Sequence, residues 1–387
     1  MNARPAGILI AIILLSFTFS FAVPSVFAED TSLSYKLVNQ ADGTFSYTLN
    51  VVVPEPLNEY YQGLSHRSAS DADFPKFVTP YAVKPIADSL REIYPDDEDF
   101  VNGVLTLVHQ IPYEETLPEY YPVETLLRNK GDCDLFSFLA ASIMKAEGLD
   151  IVLLHYQNEE HMNLGIHLNE PPKNARTNVY SLSNNGTVYY VAEATSSNWR
   201  EGWRVGECPD DLKNASATIV TLEKTEGLAP GQVSASFKKL EPTTLEVNIS
   251  PSFIIEGNTI TLQGQINPAL PNQNITFYES LGSSPWTVLG TAATYADGQF
   301  NYNWKSAVTG ELQIRASWIG NDQYAGTISP AKSTMILPFY IVTLITLAIG
   351  AIVACAVIYA IANRRKPRVT SLRVPENPET SANFFNV

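Results

Sequence analysis

Apolar and polar residues follow two periodicities along this chain, and each predicts a different kind of secondary-structure element. Helical spacing of apolar residues predicts helices over 83–93, 99–109 and 133–146, with one short turn over 123–127. Alternating or short apolar runs predict strands over 33–38, 45–53, 151–155, 161–167 and 188–192. A helix followed by strands with tight connections indicates an α+β fold with a helix packed on an antiparallel sheet.

The second part of the chain shows only the apolar pattern of strands. Short β-rich runs over 244–250, 259–263, 275–279, 286–289, 300–304 and 312–318 are separated by Asn, Gly and Pro clusters. Regular short strands without a helix between them predict an all-β sandwich over 242–333. The stretch 224–242 shows neither helical nor strand periodicity and is predicted to connect this sandwich to an α+β domain over 29–241.

Both ends of the chain carry long apolar stretches. The first, over 6–23, follows Arg4 and precedes a small-residue pattern ending at Ala28, which predicts a secretory signal peptide over 1–28 or, alternatively, an uncleaved anchor. The second runs without a charge over 335–361, long enough for a transmembrane helix. Basic residues open the polar tail 362–387, predicted to be disordered and cytoplasmic. We therefore expect a single-pass type I protein of the cell membrane with most of its chain extracellular.

Charge and cysteine content narrow the class of protein. The formal net charge of −15 argues against nucleic acid as a partner. Of three cysteines, Cys355 lies in the predicted membrane span, so no dense disulfide framework exists, and a single Cys133–Cys208 bridge is the structural alternative to a free thiol. Four glycosylation sequons suit an exterior protein: Asn185, Asn214, Asn248 and Asn274.

Cys133 stands where a reactive cysteine is expected. Asp132 is a helix N-cap residue, so Cys133 occupies the first turn of the predicted helix. Unpaired backbone N–H groups and the positive end of the helix dipole favour a thiolate there. The alternative is a small buried side chain with a packing role only.

A histidine and a carboxylate follow Cys133 in the order that acyl transfer needs. A nucleophilic thiol requires an imidazole to take its proton and a third group to orient that imidazole. His161 lies on one face of an alternating strand and Glu193 stands at the end of the next apolar strand. His167 shares the face of His161 but lies about 20 Å away, so both cannot serve one thiol. We predict that His66, His109 and His155 are surface or packing residues.

At these residues the chain resembles the transglutaminase-like superfamily, whose papain-like fold carries Gly-Asp-Cys at a helix start and its histidine and acid on successive strands. The likeness covers 93–206, and its matching segments are 121–126, 131–134, 148–150, 161–162 and 189–193. It implies that Cys133 is the nucleophile, His161 the base and Glu193 the orienting acid. The chain departs from the common pattern in having glutamate rather than aspartate at 193 and Met162 rather than an aromatic residue after the histidine.

The β-rich part has a weaker likeness. The segments 318–325 and 329–330 resemble the last strands of bacterial and archaeal immunoglobulin-like repeats. Such modules are spacers or ligand binders, which implies a stalk that holds the first domain roughly 40 Å from the membrane. Similar arrangements among prokaryotes imply an archaeal source in particular.

The resemblance implies a cysteine peptidase or amidase, or an acyltransferase, acting on an extracellular protein or peptide. Hydrolysis and transfer to an amine share every step up to the thioester, so both stay open. The alternative is a cell-surface binding or adhesion protein without turnover, motivated by the departure at Glu193. We expect no cofactor, and no metal, because no histidine or cysteine pair has the short spacing of zinc sites.

Overall fold

A mixed helix-and-sheet layer structure forms the first part of the molecule. The computed structural model describes residues 31–38 and 45–364, so the predicted signal peptide and most of the predicted tail lie outside it. The strands of this part are β1 (Thr31–Val38), β2 (Phe45–Val53), β3 (Ile151–Tyr156), β4 (His161–Ile166), β5 (Ser181–Asn184), β6 (Thr187–Ala192), β7 (Thr218–Thr221) and β8 (Ser234–Ser236). The helices are α1 (Glu55–Gln62), a 3₁₀ helix (Asp71–Phe77), α2 (Pro80–Ile93), α3 (Asp97–Val108), α4 (Pro122–Arg128) and α5 (Cys133–Ala146).

The main sheet is antiparallel and has the order β5-β6-β4-β3-β7. One face packs on α5, because Met162, Leu164 and Ile166 of β4 share a core with the apolar residues of that helix. The other face is covered by residues of the segment between β6 and β7, including Cys208 and Leu212. On this second face Asn163 and Gly165 of β4 are buried, and His161, the first residue of the strand, keeps partial exposure.

Helix boundaries follow local capping chemistry. Asp96 accepts hydrogen bonds from the backbone N–H groups of Glu98 and Asp99, so it caps α3 at its N-terminus. Asp132 caps α5 by accepting from Leu135 N at 3.3 Å. The α+β prediction agrees with these elements.

The second part contains strands alone. They are β9 (Thr244–Ser250), β10 (Phe253–Ile255), β11 (Thr259–Asn267), β12 (Asn274–Leu281), β13 (Thr287–Ala293), β14 (Gln299–Lys305), β15 (Gly310–Gly320), β16 (Ala325–Ile328) and β17 (Lys332–Leu337). They form one sheet of order β10-β17-β15-β12-β13, with β16 on β15, and a second of order β14-β11-β9. Apolar residues from both sheets share one core, as expected for the predicted all-β region.

The two parts are in direct contact. β8 lies in the stretch predicted as a connection, yet it pairs with β2. Arg315 of β15 is buried and donates to the carbonyl oxygen of Pro56, and Ile328 of β16 belongs to the core of the first part. The β part therefore packs against the first part instead of standing apart as a stalk.

The last described element is α6 (Phe339–Arg364), which follows β17 after one residue. Its segment Phe339–Ala362 is long and apolar enough to cross a membrane, with a mean hydropathy of 2.8. This agrees with a membrane-spanning helix near the predicted place. The predicted start at 335 and the predicted end of the β region at 333 were wrong, because Met335–Leu337 still pair within the sheet as part of β17.

Candidate functional site

Cys133 is the first residue of α5 and lies against the start of β4. Its Sγ is 3.5 Å from Asp134 Oδ1 and 4.0 Å from the carbonyl oxygen of Glu160, and it also interacts with the backbone N–H of Met162. Glu160 and Met162 flank His161 in the chain. The helix start thus brings the thiol beside the backbone on both sides of the predicted base.

The start of β4 extends past the end of β6. Pairing between β4 and β6 runs over Leu164–Ala192, Gly165–Val191 and Ile166–Tyr190, and stops there. The first residues of β4 therefore extend beyond the last residue of β6. Glu193 lies directly after that last residue.

His161 and Glu193 form the hydrogen bond that the sequence predicts. His161 Nε2 is 2.8 Å from Glu193 Oε2, and the carboxylate is buried, with a side-chain exposure of 1% against 22% for the histidine. Nδ1 of His161 has no hydrogen-bond partner within the part of the chain that the structure describes, so this nitrogen is available to a thiol or a substrate.

The Glu193 carboxylate has two further donors. Asn163 Nδ2 donates to Oε2 at 3.2 Å and the backbone N–H of Thr195 donates to Oε1 at 2.7 Å. With His161, the buried carboxylate therefore has three hydrogen-bond partners. Asn163 could have been found from the sequence, because the alternation that marks His161 puts Asn163 on the same face.

The carbonyl oxygen of Glu193 is also held. His109, which follows α3 as its C-cap residue, brings Nε2 to 2.9 Å from that oxygen. His109 is 5% exposed, so of the two predicted roles it takes packing. No sequence signal ties His109 to Glu193, because 84 residues separate them.

The environment of the thiol differs from the expectation. Burial, and then the charges of Asp134 and Asp132, raise the pKa of the Cys133 thiol. The sequence predicted a stabilised thiolate at the helix start. That prediction was wrong because Asp132 and Asp134 place two carboxylates at the same helix end, and because the side chain is 8% exposed.

His161 has a raised pKa. Burial acts to lower the pKa, but the hydrogen bond and charge of Glu193, followed by the charges of Asp211 and Asp134, outweigh burial and raise it. Asp134 therefore acts on both partners, since it disfavours the thiolate and favours the imidazolium.

The remaining candidates lie apart from this cluster. Cys133 and Cys208 are both free and belong to opposite sides of the main sheet, so the structure contradicts a bridge between them. His167 is half-buried and its Nδ1 lies 3.0 Å from the carbonyl oxygen of Val188. His66 and His155 contact Glu124 and Asp71, at 2.8 and 3.0 Å.

Two further predictions concern metal ions and glycosylation. Over 31–38 and 45–364, no group of three or more His, Cys, Asp and Glu side chains is arranged to hold a metal ion. All four sequon asparagines are exposed: Asn185, Asn214, Asn248 and Asn274. Their glycosylation stays a prediction.

Comparisons with known proteins give little support for any family. No family model matches the chain, and no curated protein matches it. A solved structure described as the basis of T cell specificity and activation by the bacterial superantigen toxic shock syndrome toxin-1 is 13% identical, covering 24% of this chain and 99% of its own, with a TM-score of 0.19. A putative glycoside hydrolase from Bacteroides vulgatus is 11% identical, covering 22% of this chain and 16% of its own, with a TM-score of 0.18. Likenesses this low carry no conclusion about fold or activity, so the site has to be judged from its own geometry.

Proposed function

We propose that the first part of this protein is a papain-like, transglutaminase-like acyl-transfer domain in which Cys133, His161 and Glu193 act together. The observation that carries the proposal is the placement of the Cys133 sulfur against the backbone flanking His161, with His161 oriented by a buried carboxylate. A packing cysteine would need neither the imidazole nor the carboxylate.

The proposed reaction starts from the neutral thiol. Because the pKa of the thiol is raised, proton transfer to His161 Nδ1 accompanies attack of sulfur on an amide carbonyl carbon. The tetrahedral oxyanion can accept from the backbone N–H of Cys133 at the helix start. Collapse breaks the C–N bond, and the leaving amine takes the proton back from His161.

The resulting thioester is resolved by water or by an amine. Either nucleophile loses a proton to His161, attacks the thioester carbonyl and releases the Cys133 thiol. Water gives a peptidase or amidase, and an amine gives a cross-linking transferase. Glu193 keeps the imidazole in one orientation and stabilises its protonated form in each step.

Product analysis tests the proposal and separates these outcomes. The purified full-length protein is incubated with a set of peptide amides, with and without a fluorescent primary amine, and the products are identified by mass spectrometry. We expect cleaved amide or amine conjugate from the wild type and none from Cys133→Ala. Product that persists in Cys133→Ala would contradict the proposal.

A second candidate function is binding without turnover at the cell surface. The observation that favours it is the buried sulfur, whose pKa is raised. In that case a peptide would bind equally well to the wild type and to Cys133→Ala, and neither would release product.

A further inference from the structure

We infer that His109 and the Arg176–Glu207 ion pair are positioning residues that fix Glu193 for its contact with His161. The inference rests on the proposed function, since it assigns a role in the work of Glu193. Besides its side-chain contact with His161, Glu193 has a second contact, from His109 to its backbone carbonyl oxygen. The inference concerns residues that the sequence did not single out for the site.

The chain of contacts starts at the carbonyl oxygen of Glu193. Because this oxygen can only accept, His109 Nε2 must carry the proton in the 2.9 Å bond. Burial lowers the pKa of His109, so the ring is neutral at neutral pH and its Nδ1 is unprotonated. The ring is thus a fixed link between α3 and the residue that orients His161.

The other side of the His109 ring is covered by Gly202. A Cβ built on Gly202 would lie 2.2 Å from His109 Nδ1, so the backbone of residue 202 lies directly against the ring. A larger residue would push either the loop or the ring away. The segment 199–207 therefore holds His109 in place.

That segment is itself held by an ion pair between the exposed Arg176 and the buried Glu207. Arg176 Nη2 donates to the carbonyl oxygen of Gly202 at 2.7 Å, while the same guanidinium makes two bonds to Glu207, at 2.9 Å to Oε1 and 2.7 Å to Oε2. Glu207 is 1% exposed and also accepts from the backbone N–H groups of Arg176 and Arg204. Burial opposes ionisation, but these donors outweigh it and lower the pKa of Glu207.

A contact from α3 ties the same segment to the helix that ends at His109. Asn102 Oδ1 accepts from the backbone N–H of Val205 at 2.9 Å. Loop and helix are therefore joined at Gly202 and again at Val205, and the path from Glu207 to Glu193 consists of direct contacts at every step. Loss of the ion pair should make the position of Gly202 less fixed. His109, which packs on Gly202, and Glu193, which His109 contacts, should then become less fixed in turn.

The test uses the pH dependence of Cys133 alkylation in the full-length protein in detergent micelles, with each cysteine followed by peptide mass spectrometry. The variants are Glu207→Gln and His109→Leu, with His109→Gln as a conservative replacement that keeps an N–H donor. Glu124→Gln is the matched control, because Glu124 is another buried carboxylate, 3% exposed and paired with His66 instead of with the site. His161→Ala defines the part of the profile that depends on the imidazole.

We expect Glu207→Gln and His109→Leu to lower the His161-dependent rate on the order of tenfold, a fraction of what a general base supplies. The same variants should move this part of the profile to lower pH, because Glu193 then raises the pKa of His161 less. Glu124→Gln should change neither property, and His109→Gln should recover most of the rate. If His109→Leu does not fold, Gly202→Ala tests the same contact.

Two results would overturn the inference, and they are distinguishable. Profiles of Glu207→Gln and His109→Leu (or of Gly202→Ala in its place) that match that of Glu124→Gln would contradict the positioning role and leave the proposed function standing. A wild-type profile identical to that of His161→Ala would overturn the proposed function, and the positioning role with it.

Discussion

The two parts of the molecule bury different chemistry. Among the described residues, the first part buries three glutamates and a histidine: Glu124, Glu193, Glu207 and His109. In the β part, the buried charged side chain is Arg315, and it faces the first part through Pro56. Burial of a carboxylate costs free energy unless hydrogen-bond donors surround it. A region with several buried carboxylates therefore needs donors in precisely defined positions. This difference is consistent with our proposal that acyl transfer takes place in the first part, and we propose that the β part supports it.

The largest expected effect distinguishes the two cysteines of the first part. Cys133→Ala removes the nucleophile, and we expect acyl transfer to fall by about 10⁴-fold or more, as in other enzymes that lose a triad member. Cys208→Ala removes a buried thiol on the other side of the sheet and should leave the rate within about twofold. Steady-state rates on the best peptide amide measure both. Equal losses in the two variants would remove the distinction.

A smaller effect is expected from Glu193→Gln. The neutral amide cannot stabilise the imidazolium, so kcat/KM should fall about 10²-fold to 10³-fold. Glu193 raises the pKa of His161 against burial, so without its charge burial dominates and the pKa falls. The ascending limb of the pH–rate profile should therefore move to lower pH. An unmoved limb would show that Glu193 does not act through His161.

Arg315→Ala tests whether the β part stabilises the first part through their contact. It removes the donor to Pro56 and the contact with Trp286, where the guanidinium carbon lies 5.8 Å from the ring centroid. We expect about 1–3 kcal/mol less free energy of unfolding and a split of one thermal transition into two, because the parts then unfold separately. Scanning calorimetry of the full-length protein measures this. An unchanged single transition would mean that other contacts join the two parts.

The smallest effect is expected on the outer face of the β part. Gln263 is exposed in the middle of β11 and has no side-chain hydrogen bond to another described residue. Gln263→Ala should change the free energy of unfolding by no more than about 0.5 kcal/mol and leave acyl transfer unaltered. Chemical denaturation and the peptide-amide assay check the two values. A marked loss of activity would give this face a role that the present contrast denies.

Local patterns were enough to predict the elements that carry the candidate site. The Asp132 cap and the apolar run after it predict α5, and the structure has that helix from Cys133 to Ala146. The alternation after His161 likewise predicts β4. Such signals lie within a few residues of one another, so the sequence contains them directly.

Contacts between distant segments could not be predicted in the same way. β8 has three residues, too few for a pattern, and forms because β2 offers an edge. The bond from His109 to Glu193 depends on how α3 packs beside the sheet. The pKa of Cys133 was mispredicted for a related reason: the helix dipole is visible in the sequence, whereas burial of the sulfur is a property of the folded chain.

Acid-quenched trapping of the thioester tests the central claim most directly. The full-length protein is mixed with an activated ester of a short peptide, quenched in acid within the first turnover, and digested for mass spectrometry. We predict an acyl group on the peptide that contains Cys133, formed much more slowly in His161→Ala and absent from Cys208. An acyl group found elsewhere, or one formed on Cys133 at the same rate without His161, would contradict it.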